Sequence, residues 1–144
     1  MKIVKDILQA KGNEIFSISA EATVLDALRI MAEKNVGALI VLDGDQMVGI
    51  VSERDNARKV ALQRKMSGTT LVTEIMTPDV ISIAQDQSIE ACMAQMTDAH
   101  IRHLPVLESG ELVGVISIGD VVKALITDKE FTIEQLEKYI RGEV

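Results

Sequence analysis

Gly49-Ile50-Val51-Ser52-Glu53-Arg54-Asp55 returns later in the chain as Gly114-Val115-Ile116-Ser117-Ile118-Gly119-Asp120, at an offset of 65 residues. The same offset carries Val24-Leu25-Asp26-Ala27-Leu28 onto Ile89-Glu90-Ala91-Cys92-Met93, and Leu39-Ile40-Val41-Leu42 onto Leu104-Pro105-Val106-Leu107. One period of this length, repeated once, means two copies of one supersecondary unit. Each copy reads Gly, two β-branched apolar residues, Ser, two variable residues, Asp, which is a strand running into a helix. At that junction the helix N–H groups lack intrahelical partners and the dipole is positive. Ser52 with Asp55, and Ser117 with Asp120, therefore read in two compatible ways. They cap the helix, or the carboxylate takes ribose hydroxyls while the hydroxyl and helix N–H groups face sugar or phosphate.

Working outward, Gly37 to Leu42, the turn Asp43-Gly44-Asp45 and Met47 to Val51 predict a hairpin, matched by His103 to Leu107, Glu108-Ser109-Gly110 and Leu112 to Ile116. The apolar runs barely alternate, so both faces of each sheet should be covered. Ile15 to Ile18 and Val80 to Ile83 read as short strands. Thr23 with Asp26 opens a long helix whose stripe Val24, Ala27, Leu28, Met31 recurs as Ile89, Cys92, Met93, Met96, a core face rather than a binding groove. Val4 to Leu8 and Val72 to Met76 predict short lead-in helices, Gln9 to Asn13 a polar loop, and Ser67 to Thr70 a linker between copies. The junction helices are expected over 53–63 and 119–126. A separate C-terminal helix is expected with Thr132 and Gln135 as its capping box, carrying Phe131, Ile133, Leu136, Tyr139 and Ile140 and ending at Gly142.

The expected architecture is α/β (α+β): two pseudo-two-fold-related repeats, each β-α-β-β-α, packed sheet to sheet. The repeats span 1–66 and 67–127, and 128–144 forms a helix acting as a lid or, by preference, a dimer contact. Each repeat alone would bury too small a core to stand by itself.

Composition narrows the function classes. A net charge of −7 removes the basic footprint of a general nucleic-acid binder. Arg54, Arg58, Lys59, Arg64 and Lys65 are the local exception, either a solvated face or a positive rim near a phosphate. No apolar run is long enough to cross a bilayer and no secretory leader follows Met1, so the expectation is a cytoplasmic protein without a membrane partner. The single cysteine, Cys92, falls on an apolar helix face and reads as a small buried hydrophobe. His100 and His103 lack further ligands for a metal set, and Asp43-Gly44-Asp45 is too short for a cation loop, so no metal is expected.

With Gly-hydrophobic-hydrophobic-Ser-x-x-Asp present twice after paired strands, Ile75-Met76-Thr77-Pro78 opening the second copy and His103-Leu104-Pro105-Val106 in its strand, the chain resembles the tandem cystathionine-β-synthase (CBS) domain pair, or Bateman module. The likeness runs from about Val4 to Ile126 and is similar to the stand-alone two-repeat type. It implies binding of an adenosine-containing ligand in clefts between the repeats: AMP first, with ATP, ADP or NAD(H) next and S-adenosylmethionine also in the class. By that resemblance Asp55 and Asp120 take ribose hydroxyls, with Ser52 and Ser117 beside sugar or phosphate. Backbone groups near Val36-Gly37-Ala38 and Ile101-Arg102-His103 address the adenine edge. Arg102 and His103 match phosphate-binding positions, and Arg102 and Arg54 are the sharper candidates because guanidinium holds phosphate through two bonds. If Asp55 shares a cleft with Arg102 and His103, that cleft is the better anion site.

The implied function is a non-catalytic, energy-sensing regulatory module, a homodimer whose ligand shifts a conformational equilibrium that a regulated protein partner reads. An enzyme would need an activated nucleophile, and no histidine stands in either junction, although His103 could approach one. The alternative is a nucleotide-independent dimerisation scaffold whose junction residues merely cap helices.

Overall fold

The helix Val24–Lys34 begins where the sequence predicts, because Thr23 supplies what its first turn lacks. The Thr23 hydroxyl accepts the Asp26 amide and the Asp26 carboxylate accepts the Thr23 amide, each at 3.2 Å. The next orphan amides, Val24 and Leu25, donate to the carbonyls of Thr70 and Ser67 at 2.8 and 2.9 Å. Residues 67–70 are therefore built onto this helix, with Thr70 buried, and do not form the free linker expected between copies.

The structure is a computed structural model and describes residues 2–142. Met1, Glu143, Val144 and the side chain of Tyr139 lie outside the described residues, and with them the leader reading at Met1 and the apolar role expected of Tyr139. In chain order the elements are α1 (Val4–Lys11), β1 (Ser17–Ser19), α2 (Val24–Lys34), β2 (Ala38–Asp43), β3 (Gln46–Ser52) and α3 (Glu53–Asn56). A π-helical turn (Ala57–Ala61) continues α3. There follow α4 (Val72–Ile75), β4 (Ile83–Ala84), α5 (Ile89–Ala99), β5 (His103–Glu108), β6 (Glu111–Ser117) and α6 (Ile118–Ile140). The fold is mixed α+β with two three-stranded sheets among the described residues, ordered β1-β2-β3 and β4-β5-β6. In each sheet the first pair is parallel and the second antiparallel, and the register shifts at Val41/Leu42 and again at Val106/Leu107. The period seen in the sequence thus extends to the bulge.

Two compact units result: residues 15–80, and residues 1–14 together with 81–144. The units divide the chain differently from the sequence period. Helix α4, which opens the second repeat in sequence, buries Val72 and Ile75 in the core of the unit 15–80, with Ile18, Val24, Ala27, Met31, Leu39, Val41 and Val51. Helix α1 buries Val4, Ile7 and Leu8 in the other core, with Ile83, Ile89, Cys92, Met96, Leu104, Val106 and Ile116. Backbone bonding locks both placements: Val72 N–H donates to Ala22 at 3.0 Å, and Val4 N–H to Gln87 at 2.9 Å. The apolar stripes of α2 and α5 are core, as expected, and the Cys92 thiol is pushed up to about 11 by burial.

Three expectations need correction. Helix α1 runs on to Lys11, through the stretch read as a polar loop. The helix after the first junction widens at Ala57–Ala61, where Leu62 N–H reaches back five residues to the Ala57 carbonyl. Most visibly, α6 is one helix of 23 residues, not two. Thr132 lies inside it, its hydroxyl donating to the Asp128 carbonyl at 3.0 Å instead of capping a new helix. The intervening residues 127–131 contain neither Gly nor Pro, so nothing in them stops a helix once begun.

Candidate ligand sites at the two strand–helix junctions

In the unit 15–80, β3 ends at Ser52 in extended conformation and α3 starts on the next residue. The Ser52 hydroxyl accepts the Asp55 amide at 3.2 Å and donates to Asp55 Oδ2 at 3.1 Å, while Oδ2 also accepts the Ser52 amide at 2.9 Å. Asp55 Oδ1 faces the Lys59 ammonium at 3.4 Å, and Lys59 in turn donates to the Ile75 carbonyl at 2.9 Å. β2 supplies the wall: Ala38 lies opposite Ser52 in the register, and Gly37 accepts the Glu53 amide at 3.0 Å. Beside it a cavity of about 370 Å³ is lined by Leu28, Met31, Ala32, Asn35, Val36, Gly37 and Glu53.

The second junction repeats the box and changes its surroundings. Asp120 Oδ2 accepts the Ser117 amide at 2.8 Å, and the Ser117 hydroxyl accepts the Asp120 amide at 3.2 Å. Ile118 N–H donates to the Arg102 carbonyl at 2.8 Å, the counterpart of Glu53 and Gly37. The partner of this carboxylate is Lys11, from the end of α1, whose ammonium sits 2.7 Å from Asp120 Oδ2 and donates to the Val115 carbonyl at 3.0 Å. Every described bond to Asp120 falls on Oδ2, so Oδ1 has no partner among the described residues. The two carboxylates are 17% and 24% exposed, open enough to meet a solute while held by their caps.

His103 lies opposite Ser117 in the register of β5 and β6. Burial lowers its pKa most; Asp120 pulls the other way, and Lys11 and Arg102 lower it further, so the imidazole titrates below its ordinary 6.5. For Asp120 burial alone would raise the pKa, but the Lys11 ammonium and the Ser117 amide outweigh it and leave the carboxyl below 3.8. Both depressed values work in one direction. Below pH 6.5 the unfolded chain takes up a proton that buried His103 refuses, so stability falls with pH there; the Asp120 contribution is lost only at still lower pH. Urea unfolding at pH 7.5 and 5.5 should show a larger loss for wild type than for His103→Gln, and equal losses would sink this account.

The structure brings Ser52 and Asp55 together, and Ser117, Asp120 and His103 together. Arg54 is half-buried and Arg102 exposed, and among the described residues neither guanidinium makes a hydrogen bond or ion pair. Val36 and Ile101 pack against the two cores, and their amides donate to Met31 and Met96 at 3.0 Å, so those N–H groups are already used. The wider basic rim is uneven: Lys59 turns to Asp55, while Arg58, Arg64 and Lys65 are exposed. Ser117 Oγ makes no described bond to His103, its cross-strand neighbour. His100 is the left-handed C-cap of α5, with φ 56°, and no three His, Cys, Asp or Glu converge among the described residues. No described helix is long and apolar enough to cross a membrane. Lys11 is the residue sequence reasoning missed. It has no counterpart in the period, and only the docking of α1 brings it to Asp120.

Comparison with known proteins agrees with this architecture. The family model described as the CBS domain matches residues 4–55 and again 72–127. The CBS domain-containing protein CBSX3 of Arabidopsis thaliana is 35% identical, over 96% of this chain and 72% of its own length. A solved CBS-domain protein from Burkholderia ambifaria is 51% identical with a TM-score of 0.86, covering 88% of this chain and 96% of that one. The CBS domain pair of protein MJ0100, solved with 5′-methylthioadenosine and S-adenosyl-L-methionine, shares the fold at 24% identity and a TM-score of 0.73, over 89% of this chain and 98% of that one. With two matched domains, two sheets of one topology and a Ser-x-x-Asp junction closing each, the chain belongs to the CBS domain family as a CBS pair.

Proposed function

We propose that this CBS pair is a non-catalytic sensor that binds an adenosine-containing ligand at its Ser-x-x-Asp junctions, AMP first among the candidates, and passes the change to a regulated protein. One observation carries the reading: each junction holds a capped, partly open carboxylate, and its turn carries an arginine whose guanidinium makes no bond among the described residues, Arg54 next to Asp55 in the chain and Arg102 joined to the second junction by its carbonyl, which accepts the Ile118 amide. Such a carboxylate suits a ribose diol and such a guanidinium suits a phosphate. The fold is one that holds adenosyl compounds in protein MJ0100. A non-catalytic role is favoured because each junction serine is committed to its cap: Ser52 gives its proton only to the capping carboxylate of Asp55, and neither serine is bonded to a histidine among the described residues. The competing reading, a scaffold that needs no nucleotide, draws on the same caps, since they account for Ser52 and Asp55 without any ligand.

A panel of AMP, ADP, ATP, NAD(H) and S-adenosylmethionine, titrated calorimetrically into wild type, Asp55→Ala and Asp120→Ala, separates the two. At about 100-fold excess over Kd a true ligand adds about 2.7 kcal/mol to wild-type stability. Asp55→Ala also loses a cap, about 0.5–2 kcal/mol, so binding is measured well below the melting temperature of the variant. Heat of binding lost with Asp55 supports the sensor. No binding by wild type shown free of co-purified ligand leaves the scaffold, and binding undiminished in both Asp55→Ala and Asp120→Ala overturns the junctions as the ligand site.

A further inference from the structure

Helix α6 carries a second apolar stripe that its own unit does not use. Val121 is buried, and Ile118, Ala124 and Leu125 pack against the core. Val122, Ile126, Ile133, Leu136 and Ile140 are 40, 53, 55, 57 and 81% exposed. With Lys129 these residues step by 4, 3, 4, 3 and 4 from 122 to 140, which is the a/d seam of a coiled coil. Ile126, Ile133 and Ile140 hold one heptad position; Val122, Lys129 and Leu136 hold the other. The seam runs about 27 Å along the helix. At the end nearest the core it opens into a groove of about 410 Å³ lined by Ile118, Gly119, Val122, Lys123, Ile126 and Thr127.

We infer that this seam is covered by α6 of a second copy of the chain, running antiparallel. Three features single out that occupant and that direction. Antiparallel pairing about residue 131 sets Val122 against Ile140, Ile126 against Leu136 and Lys129 against Ile133, so the stripe is complementary to itself, as a two-fold contact requires. It lays Ile140, the most exposed apolar residue of the stripe, at the groove beside Val122. It also matches charge on the flank, where Lys123, Glu130 and Glu137 follow the Val122, Lys129 and Leu136 positions. Lys123 meets Glu137 of the other helix on both sides of the axis, and at the axis the two Glu130 side chains face one another with the Lys129 of each helix beside them. Parallel pairing would stack Lys129 on Lys129 and match no flanking charges. Within its own helix Glu137 lies 3.9 Å from Arg141, one turn on.

Sedimentation equilibrium and cysteine trapping test this on the full chain. Wild type should be dimeric at tens of micromolar, and Ile133→Asp should weaken dimerisation about 30-fold or more with an unchanged circular-dichroism spectrum. The double variant Ile126→Cys/Leu136→Cys should form an interchain disulfide under mild oxidation, while Leu136→Cys alone should not. Native Cys92 is buried, with its thiol pushed up to about 11, and will not compete. A monomeric wild type overturns the inference and leaves the seam to another protein's helix. A dimer indifferent to Ile133→Asp overturns it by placing the contact elsewhere, and a disulfide from Leu136→Cys alone overturns the antiparallel direction. Should Ile133→Asp fail to fold, the trapping pattern still decides.

Discussion

Leu104→Ala is expected to lower the free energy of unfolding by about 2–5 kcal/mol. Leu104 has no exposed surface and stands on β5, the middle strand of its sheet, among Val4, Ile89, Cys92, Met96 and Ile116. Its removal takes a branched side chain from water-free packing and leaves a space bounded by a strand pair and two helices. Only limited collapse is open to that space, because β5 is held by ladders on both edges. The measurement is urea unfolding followed by circular dichroism, with the midpoint falling and the slope unchanged. A loss below about 1 kcal/mol, the range of a volume-conserving swap, would show that the site repacks and that Leu104 is not central to its core. Leu39, its counterpart at 1% exposure on the middle strand β2, should respond alike.

Gly49→Ala is expected to cost about 1–3 kcal/mol as an overpacked site, and Gly114→Ala clearly less, although the two glycines are equivalent in the repeat. A Cβ on Gly49 would lie 2.5 Å from the Met76 sulfur and 2.9 Å from the Thr77 carbonyl oxygen. The sulfur can swing aside. The carbonyl cannot, because it accepts the Ile50 amide at 3.1 Å while the Thr77 amide donates to Ile50 at 2.9 Å. Moving it breaks the bridge that seats the chain after α4 on β3. A Cβ on Gly114 meets only the side chain of Leu8, at 2.7 Å from its nearest methyl, and a rotamer change relieves that contact. Thermal melts of the two variants side by side should place Gly49→Ala lower; equal melting temperatures would mean that the Thr77 backbone yields as readily as a leucine side chain.

The period in the sequence carried a great deal. It located both hairpins, both long helices, the first with its Thr23 cap, and the two junction boxes, while the Ser88 cap of α5 came from the structure. These features are legible because each is decided within a few residues: a hydroxyl three positions from an amide, a turn between two apolar runs, a stripe at helical spacing. The same locality explains what could not be read. Lys11 reaches Asp120 across 109 positions, and α1 and α4 each join a core that sequence order would not assign them to.

By itself, then, the sequence determined the repeated strand, helix and junction, and the residue types placed at each junction, since those rest on backbone geometry and short-range bonding. Only the tertiary structure decided which lead-in helix closes which core, which cation meets each aspartate, and that α6 runs unbroken with an apolar stripe left uncovered. The physical reason is that burial of apolar surface is not directional. Val4-Lys5-Asp6-Ile7-Leu8 and Val72-Thr73-Glu74-Ile75-Met76 offer nearly the same apolar face, and the choice between two cores falls to the backbone bonds and side-chain shapes that each meets on docking.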